Sequence, residues 1–245
     1  MSMSGWRGLI IGAVLLGCVL ASQAVAAGAV RLDWDTCAMS PVNRTLMDPD
    51  PVQCFVTVRG QAEAHDGYHV RLAVIPSTGS AFPDAWRFDV AGCQGSNYIE
   101  MYSDDPTGFL SKTCPVFSGT ATALTIRDYS VDPTIGRGQI VFAKAYPSGS
   151  TSFNPAWRYF LFVVIFEHYN STVGATVPGT SCGGLETPIC LLITLAEWHS
   201  MDGVTAPWAI ERESITVNDP AATACSAATP ARPSTWGAVK DQYRR

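Results

Sequence analysis

The sequence predicts an all-β protein, more narrowly an antiparallel β-sandwich of the jelly-roll or immunoglobulin-like kind. Nine or ten short segments rich in β-branched and aromatic residues follow one another with turn residues between them, which is typical of sandwiches. No stretch shows a sustained apolar period of 3.6 residues between helix caps. A segment of 22 residues also occurs twice, at 67–88 and at 138–159, which predicts an internal duplicated strand-loop-strand unit.

The two copies of this repeat align without a gap. Each has an alternating segment, a Pro-Ser turn and then Ala-Trp-Arg with an aromatic residue, which predicts a strand, a loop of about half a dozen residues and a second strand. We expect Trp86 and Trp157, at equivalent positions, to anchor the core, because a buried indole removes a large apolar area from water. The alternative hypothesis is a paired platform on which a ligand stacks. The identical pairs are Gly67/Gly138, Val70/Val141, Pro76/Pro147, Ser77/Ser148, Phe82/Phe153, Ala85/Ala156, Trp86/Trp157 and Arg87/Arg158.

The first 27 residues have the pattern of a cleaved signal peptide. Arg7 precedes an apolar run at 9–20, and Ala-Val-Ala at 24–26 is a typical cleavage site. The run is short and interrupted by small residues, so it predicts export to a secreted or periplasmic location, and no membrane span. The alternative is a lipoprotein, because the LLGC motif that ends at Cys18 resembles a lipobox and would anchor the protein through that cysteine.

The charge of the chain argues against a nucleic-acid partner. It has 16 basic and 21 acidic side chains, a net charge of −5, and loss of residues 1–27 removes one basic residue and no acidic one, which makes it −6. Proteins that bind nucleic acids present a concentrated positive surface. Carbohydrate or another surface protein remains as the expected kind of partner, and the oligomeric state stays open.

Further strands are predicted along the rest of the chain. The run FLFVVIFEHY at 160–169 is apolar on both faces, with Phe160 and Phe162 on one side and Leu161 and Val163 on the other. This pattern predicts a central strand that is covered on both faces. The pattern at 209–217 fits a strand or a short helix, and we favour a strand. The other predicted strands are 30–34, 53–59, 97–102, 121–127, 189–198 and 209–217.

These strands predict one β-sandwich domain at 28–218, followed by a tail. Residues 219–235 are small residues and proline, which bury too little apolar surface to offset the entropy lost on ordering. We therefore expect 219–245 to be a flexible tail.

Seven cysteines follow Cys18. In an exported protein such a set predicts disulfides, and no Cys-x-x-Cys spacing indicates zinc. Proximity in sequence suggests Cys37–Cys54, Cys93–Cys114 and Cys182–Cys190, although other pairings remain open. Cys225 is left over and is either free or paired between chains. The disulfide candidates are Cys37, Cys54, Cys93, Cys114, Cys182 and Cys190.

No pattern of catalytic or metal-binding residues stands out. Glu197 and His199 are two residues apart and therefore share a strand face, whereas Glu167 and His168 point to opposite faces. No acidic loop has the spacing of a calcium-binding loop, and no Gly-x-Ser-x-Gly motif occurs. We therefore predict no cofactor, no metal and no catalytic residue.

Three sequence motifs make the chain similar to a group of known proteins. They are L-x-W-x-x-C at 32–37, Ala-Trp-Arg-Phe at 85–88, and C-x-G followed by P-x-C and an apolar strand at 182–193. This pattern resembles a set of uncharacterised secreted bacterial β-sandwich proteins that contain disulfides, over most of residues 30–200. The resemblance implies the fold, export and disulfides, and no activity.

The leading hypothesis is therefore a secreted or cell-surface, non-catalytic β-sandwich protein that binds or assembles. A structural version predicts buried tryptophans and either an exposed edge strand or a dimer linked through Cys225. An extracellular hydrolase, the alternative from another class, requires Glu197, His199 or Glu167 to meet other polar side chains in a pocket. A carbohydrate-binding module requires exposed, coplanar rings from at least two of Trp34, Trp86, Trp157, Trp198 and Trp208.

Overall fold

Two β-sheets packed face to face make up the part of the chain that the computed structural model describes, which confirms the predicted β-sandwich. The predicted signal peptide at 1–27 and residues 227–245 lie outside the described residues. The described residues are 28–46, 51–60, 65–77, 82–103, 114–116, 124–132, 134–146, 153–171, 181–200 and 202–226.

The described strands number twelve. In chain order they are β1 (Ala29–Trp34), β2 (Asn43–Arg44), β3 (Val52–Arg59), β4 (Gly67–Pro76), β5 (Ile99–Tyr102), β6 (Leu124–Asp132), β7 (Arg137–Ala145), β8 (Arg158–Phe166), β9 (Ile189–His199), β10 (Thr205–Pro207), β11 (Ala209–Arg212) and β12 (Ser214–Val217). Two 3-10 helices, Asp84–Trp86 and Ser96–Tyr98, and a one-turn α-helix, Thr223–Ser226, accompany them.

The strands are divided between a smaller and a larger sheet. The smaller sheet has the order β11-β1-β3-β8-β5, and the larger has the order β2-β12-β9-β4-β7-β6, with β10 also paired to β9. All pairs are antiparallel except β1 with β11 and β2 with β12. The segment predicted as one strand at 209–217 contains two, because the chain crosses from the smaller sheet to the larger between β11 and β12.

Strand β8 is doubly covered, as the sequence predicted, but it lies next to the edge strand β5, and β3 is the central strand of the smaller sheet. The neighbours of β8 are β3 and β5, and both of its faces are buried. The sides of its aromatic residues differ from the prediction, because the pairing with β3 shifts by one residue at Leu161. Phe162 therefore points between the sheets, whereas Phe160 joins a cluster on the outer face.

The two repeat copies share their first halves and a turn in which Trp86 N donates to Pro83 O and Trp157 N to Asn154 O, but only the second copy continues into a strand, which corrects the prediction of two equivalent strand-loop-strand units. The first halves are β4 and β7, which pair with each other so that Gly67 lies opposite Ala145. The second half of the first copy forms the 3-10 helix Asp84–Trp86, in which Trp86 N donates to Pro83 O at 3.0 Å. The matching segment of the second copy continues into β8, because β3 is available there as a pairing partner.

Three disulfides connect distant parts of the chain. They are Cys37–Cys114, Cys93–Cys182 and Cys190–Cys225, with sequence separations of 77, 89 and 35. Disulfides are thus confirmed, but the pairings suggested by proximity in sequence are wrong.

Cys54 is a buried free thiol, and Cys225 belongs to a disulfide within the chain. The reason lies in the faces of β3. Cys54 lies in the core between the sheets, whereas Cys37 lies in the cluster on the outer face, so the sheet separates them.

Each outer face is partly covered by a segment that a disulfide holds. On the smaller sheet, Cys37 and Cys114 pack with Phe55, Phe160 and Val163. On the larger sheet, the helix Thr223–Ser226 lies over Ile75 and Cys190.

The first part of the segment predicted as a flexible tail lies against the larger sheet. The Asp219 carboxylate accepts hydrogen bonds from Thr223 Oγ1 at 2.9 Å and from Ala224 N at 2.6 Å, and Cys225 is bonded to Cys190. These contacts hold residues 219–226 against the sheet.

Candidate functional site

The two tryptophans predicted to be equivalent lie in different environments. Trp86 is 0% exposed and packs against Phe166 and His168, whereas Trp157, immediately before β8, is 57% exposed. Trp86 therefore anchors the core, as predicted, whereas Trp157 does not. The structure does not bring the pair together as a platform, because one ring is inside the sandwich. The other described tryptophans, Trp34, Trp198 and Trp208, are buried.

Glu197 and His199 do share a face, as the spacing predicted, and they meet two side chains of the neighbouring strand β4. The Glu197 carboxylate lies 3.4 Å from His69 Nδ1 and 3.9 Å from His199 Nε2. Arg71 Nε donates to His69 Nε2 at 3.2 Å, so His69 carries its proton on Nδ1, toward the carboxylate. Burial first, and then the adjacent Arg71 cation, lowers the pKa of His69.

His69, Arg71 and His199 of this polar cluster form one wall of a groove on the outer face of the larger sheet. The floor is made of small residues, Gly67, Ala143 and Ala145, and the opposite wall consists of Leu124 and Ile126 on β6. The groove has a volume of about 660 Å³. It exists because small residues lie at the start of β4 and the end of β7, whereas longer side chains flank them on β6, on β9 and further along β4.

Leu124 and Ile126 are the unusual feature of the groove. They are 75% and 62% exposed, although large aliphatic side chains are normally buried. They point outward from β6, the last strand of the larger sheet. Exposed aliphatic residues side by side on an edge strand are typical of an interaction surface. The alternation around 121–127 indicated a strand but not an edge, because strand order depends on the tertiary fold.

A second concavity of about 470 Å³ lies on the other side of the same edge strand. It separates β6 from β5, the last strand of the smaller sheet. Phe88, Met101 and Tyr129 contribute apolar surface, and Glu100 and Arg127 are among its charged residues. Sequence reasoning missed this cleft, because its two walls belong to different sheets.

Glu167 and His168 lie away from the groove. Burial first, and then the nearby Glu100 carboxylate, raises the pKa of Glu167. His168 is buried against Trp86 and Phe88, and its Nδ1 lies 3.0 Å from the carbonyl oxygen of Ala85. Its role is therefore structural: it joins the end of β8 to the 3-10 helix.

His168 should make stability depend on pH. Burial lowers its pKa to about 4, and its Nε2 has no hydrogen-bond partner among the described residues, so a second proton would be buried unpaired. Below pH 6.5 the unfolded chain binds a proton that the folded protein does not bind, so stability falls as the pH falls toward 4. We expect a loss of about 2 kcal/mol between pH 7 and 4.5 that is absent from His168→Asn, measured by urea unfolding.

Trp157→Ala is the control for this prediction, because Trp157 is 57% exposed and does not titrate, so its replacement should leave the wild-type slope unchanged. The same pH slope in His168→Asn and in the wild type would contradict the assignment.

Comparisons with known proteins support no functional assignment. No protein-family model matches the sequence, and no curated protein matches it. Similar solved structures include a cohesin module from a Clostridium perfringens family 33 glycoside hydrolase, with a TM-score of 0.39, 11% identity and coverage of 79% of this chain and 98% of that one. A second type II cohesin module of Acetivibrio cellulolyticus ScaA scaffoldin has a TM-score of 0.38, 11% identity and coverage of 78% and 97%.

A non-cellulosomal cohesin of Archaeoglobus fulgidus has a TM-score of 0.33, 12% identity and coverage of 77% and 89%. Because these TM-scores are below 0.5, the likeness carries no conclusion about this chain. Among the residues that the structure describes, no helix has the length and apolar character needed to cross a bilayer. No group of three or more metal-ligating side chains occurs in the same described ranges.

Proposed function

We propose that this protein is an exported, non-catalytic binding protein that holds a partner protein against edge strand β6 and the adjoining groove. The observation that carries the proposal is the exposure of Leu124 and Ile126 beside a groove of about 660 Å³. Covering both side chains would remove apolar area from water at about 25 cal/mol per Å². Three disulfides support export, because they persist in oxidising compartments.

The export route is part of this proposal. Residues 1–27 supply the signal peptide, and the released protein is secreted or periplasmic. The lipoprotein route through Cys18 is the alternative, and the mass of the mature N-terminal peptide distinguishes a cleaved end near residue 27 from a lipidated cysteine.

The structure favours a protein partner over the two other hypotheses. Four of the five tryptophans considered for a carbohydrate platform are buried, so no pair of them forms an exposed platform. The hydrolase hypothesis keeps the support that it required, because Glu197 and His199 meet His69 and Arg71 beside the groove, but the described lining offers no serine, threonine or cysteine as a covalent nucleophile. The exposed edge strand meets the condition of the structural version, in which a partner joins the sheet.

The test uses peptides selected from a random phage-displayed library on the immobilised mature protein. We expect Ile126→Asp to weaken binding of the selected peptides at least about tenfold, because it puts a charge where apolar surface is covered. Ile135→Asp is the matched control, since Ile135 is also 62% exposed but lies in the turn between β6 and β7. Equal effects of the two substitutions would contradict the proposal, as would glycan binding that depends on Trp157.

A further inference from the structure

Arginines gather on the outer face of the smaller sheet, although the protein as a whole is acidic. Residues 28–226 hold 11 basic and 20 acidic side chains, a net charge of −9, because Arg7, Arg232, Lys240, Arg244, Arg245 and Asp241 lie outside them. Four of the arginines nevertheless belong to neighbouring strands of one sheet and to one network of ion pairs. They are Arg31 on β1, Arg59 on β3, Arg158 on β8 and Arg212 on β11.

Three of these arginines share the carboxylate of Glu211. It bonds to Arg158 Nη2, and it lies 3.5 Å from Arg31 Nη1 and 3.9 Å from Arg59 Nη2. The register between β1 and β11 shifts at Glu211, which makes it the extra residue of a β-bulge. Bulges re-aim side chains, and this one turns the carboxylate toward the guanidinium groups on the outer face.

A second carboxylate, that of Asp33, completes the network. It is fully buried, and it bonds to Arg31 Nε and to Arg212 Nη1, the latter at 2.9 Å. Among the described residues, only Asp33 and Glu211 form ion pairs with the four arginines. Four cations and two anions leave this network with two positive charges.

The excess positive charge is concentrated at Arg59 and Arg158. These residues lie directly opposite each other where β3 pairs with β8, and like charges in such positions repel. Burial first, and then the neighbouring Arg31 cation, lowers the pKa of Arg158. An anion bound beside these guanidinium groups would offset the repulsion between them.

Two of the cations are fixed in place, and the third has donors to spare. Arg31 Nη2 donates to Cys37 O at 2.9 Å, and Arg158 Nη1 donates to Thr57 Oγ1 at 3.1 Å. The Arg59 side chain is 54% exposed, and the ion pair of 3.9 Å is its sole polar contact with the described residues. The planar fork of a guanidinium matches the oxygens of an oxyanion, and cations that are already ordered lose little entropy on binding.

We propose that Arg59, together with the fixed charges of Arg31 and Arg158, binds a small oxyanion that carries two negative charges, such as sulfate or phosphate. The two charges of the anion balance the two that the network leaves. A compact ion suits this position, because the net charge of −9 around it would repel a long polyanion. The site lies on the opposite sheet from the groove, so it goes beyond the proposed function and does not depend on it.

The test is a calorimetric titration of sulfate into the mature full chain, with chloride exchanged for sulfate so that ionic strength stays constant. We expect a dissociation constant on the order of 1 mM, and binding at least about fivefold weaker in Arg59→Gln. Arg127→Gln is the matched control, because Arg127 is an exposed arginine on the larger sheet and its loss changes the net charge equally. Equal weakening by the two substitutions, or no saturable binding to the wild type, would overturn the proposal.

Glu211→Gln separates a ligand site from a cluster that is only structural. Its carboxylate competes with the bound anion, and its loss leaves three positive charges, so we expect sulfate to bind at least about threefold more tightly. The bonds of Arg31 to Cys37 and of Arg158 to Thr57 remain in this variant and keep both cations in place. Unchanged or weaker binding of sulfate would contradict the assignment.

A phosphate monoester distinguishes the two sources of such an anion. Inorganic phosphate and methyl phosphate both carry close to two charges at about pH 8. Equal binding of the two, weakened in both cases by Arg59→Gln, supports a phosphate group on a larger molecule, whereas binding of inorganic phosphate alone supports a free ion. Binding of either one that Arg59→Gln leaves unchanged would place the anion elsewhere and overturn the proposal.

Discussion

Replacing Trp86 by alanine is expected to lower the free energy of unfolding by about 3–5 kcal/mol. The indole is fully buried, and its ring centroid lies 5.3 Å from that of Phe166 and 4.8 Å from that of His168. It therefore connects the 3-10 helix after β4 to the doubly covered strand β8. Alanine would lose these contacts and leave a cavity. The surrounding strands would fill this cavity only in part, because backbone hydrogen bonds hold them in place.

Urea unfolding of the two alanine variants in parallel measures this effect. Trp157→Ala is the matched control, because Trp157 occupies the equivalent place in the repeat but is 57% exposed, and its loss should change stability by only about 0.5 kcal/mol. Fluorescence gives a second measure, since Trp86→Phe should remove blue-shifted, poorly quenched emission and Trp157→Phe should remove emission that acrylamide quenches. Similar losses of stability in the two alanine variants would contradict the placement of these residues.

Removal of the Cys93–Cys182 disulfide is expected to destabilise the protein by roughly 4 kcal/mol. This bond closes the longest of the three loops, with a sequence separation of 89, so its loss releases the most chain entropy in the unfolded state. It also holds residues beside Gln94, whose side chain bonds to Ala85 O and Ser171 Oγ near the Trp86 site. The double variant Cys93→Ser/Cys182→Ser avoids a new unpaired thiol.

Thermal or urea unfolding of this double variant measures the loss. Cys54→Ala is the control, because Cys54 is a free thiol and its removal leaves all three disulfides intact. Burial raises the pKa of the Cys54 thiol, so we also expect no thiol to react in the folded mature protein and one to react after unfolding. Peptide mapping that found Cys225 free, as proximity in sequence suggested, would contradict the disulfide assignment.

The sequence predicted elements well where the signal was local. The alternation at 53–59 and the apolar run at 160–169 predicted strands β3 and β8, because one strand's side-chain period reports how its faces are buried. It predicted less well where a segment's structure depends on its neighbours. The Ala-Trp-Arg motif lies in a 3-10 helix in one copy and leads into a strand in the other, since only the second copy has β3 to pair with.

The candidate site was predictable in its members but not in its geometry. The two-residue spacing of Glu197 and His199 indicated a shared face, and the structure adds His69 and Arg71 from the adjacent strand. The cleft had no signal in the sequence, because β5 and β6 approach only when both sheets are assembled. The predicted pairing of Cys37 with Cys54 was wrong for the same reason, because these two cysteines, 17 positions apart, lie on opposite faces of one sheet.

By itself, the amino-acid sequence determined that this protein is built of β-strands, that its charge does not suit nucleic acid, and that its cysteines form disulfides. These properties follow from composition and from periods of two residues, which are local. Only the tertiary structure decided which strands are edges, which tryptophan is buried, and which cysteines meet. Those outcomes depend on strand order and register, because pairing between segments far apart in the chain determines which face and which edge each side chain occupies.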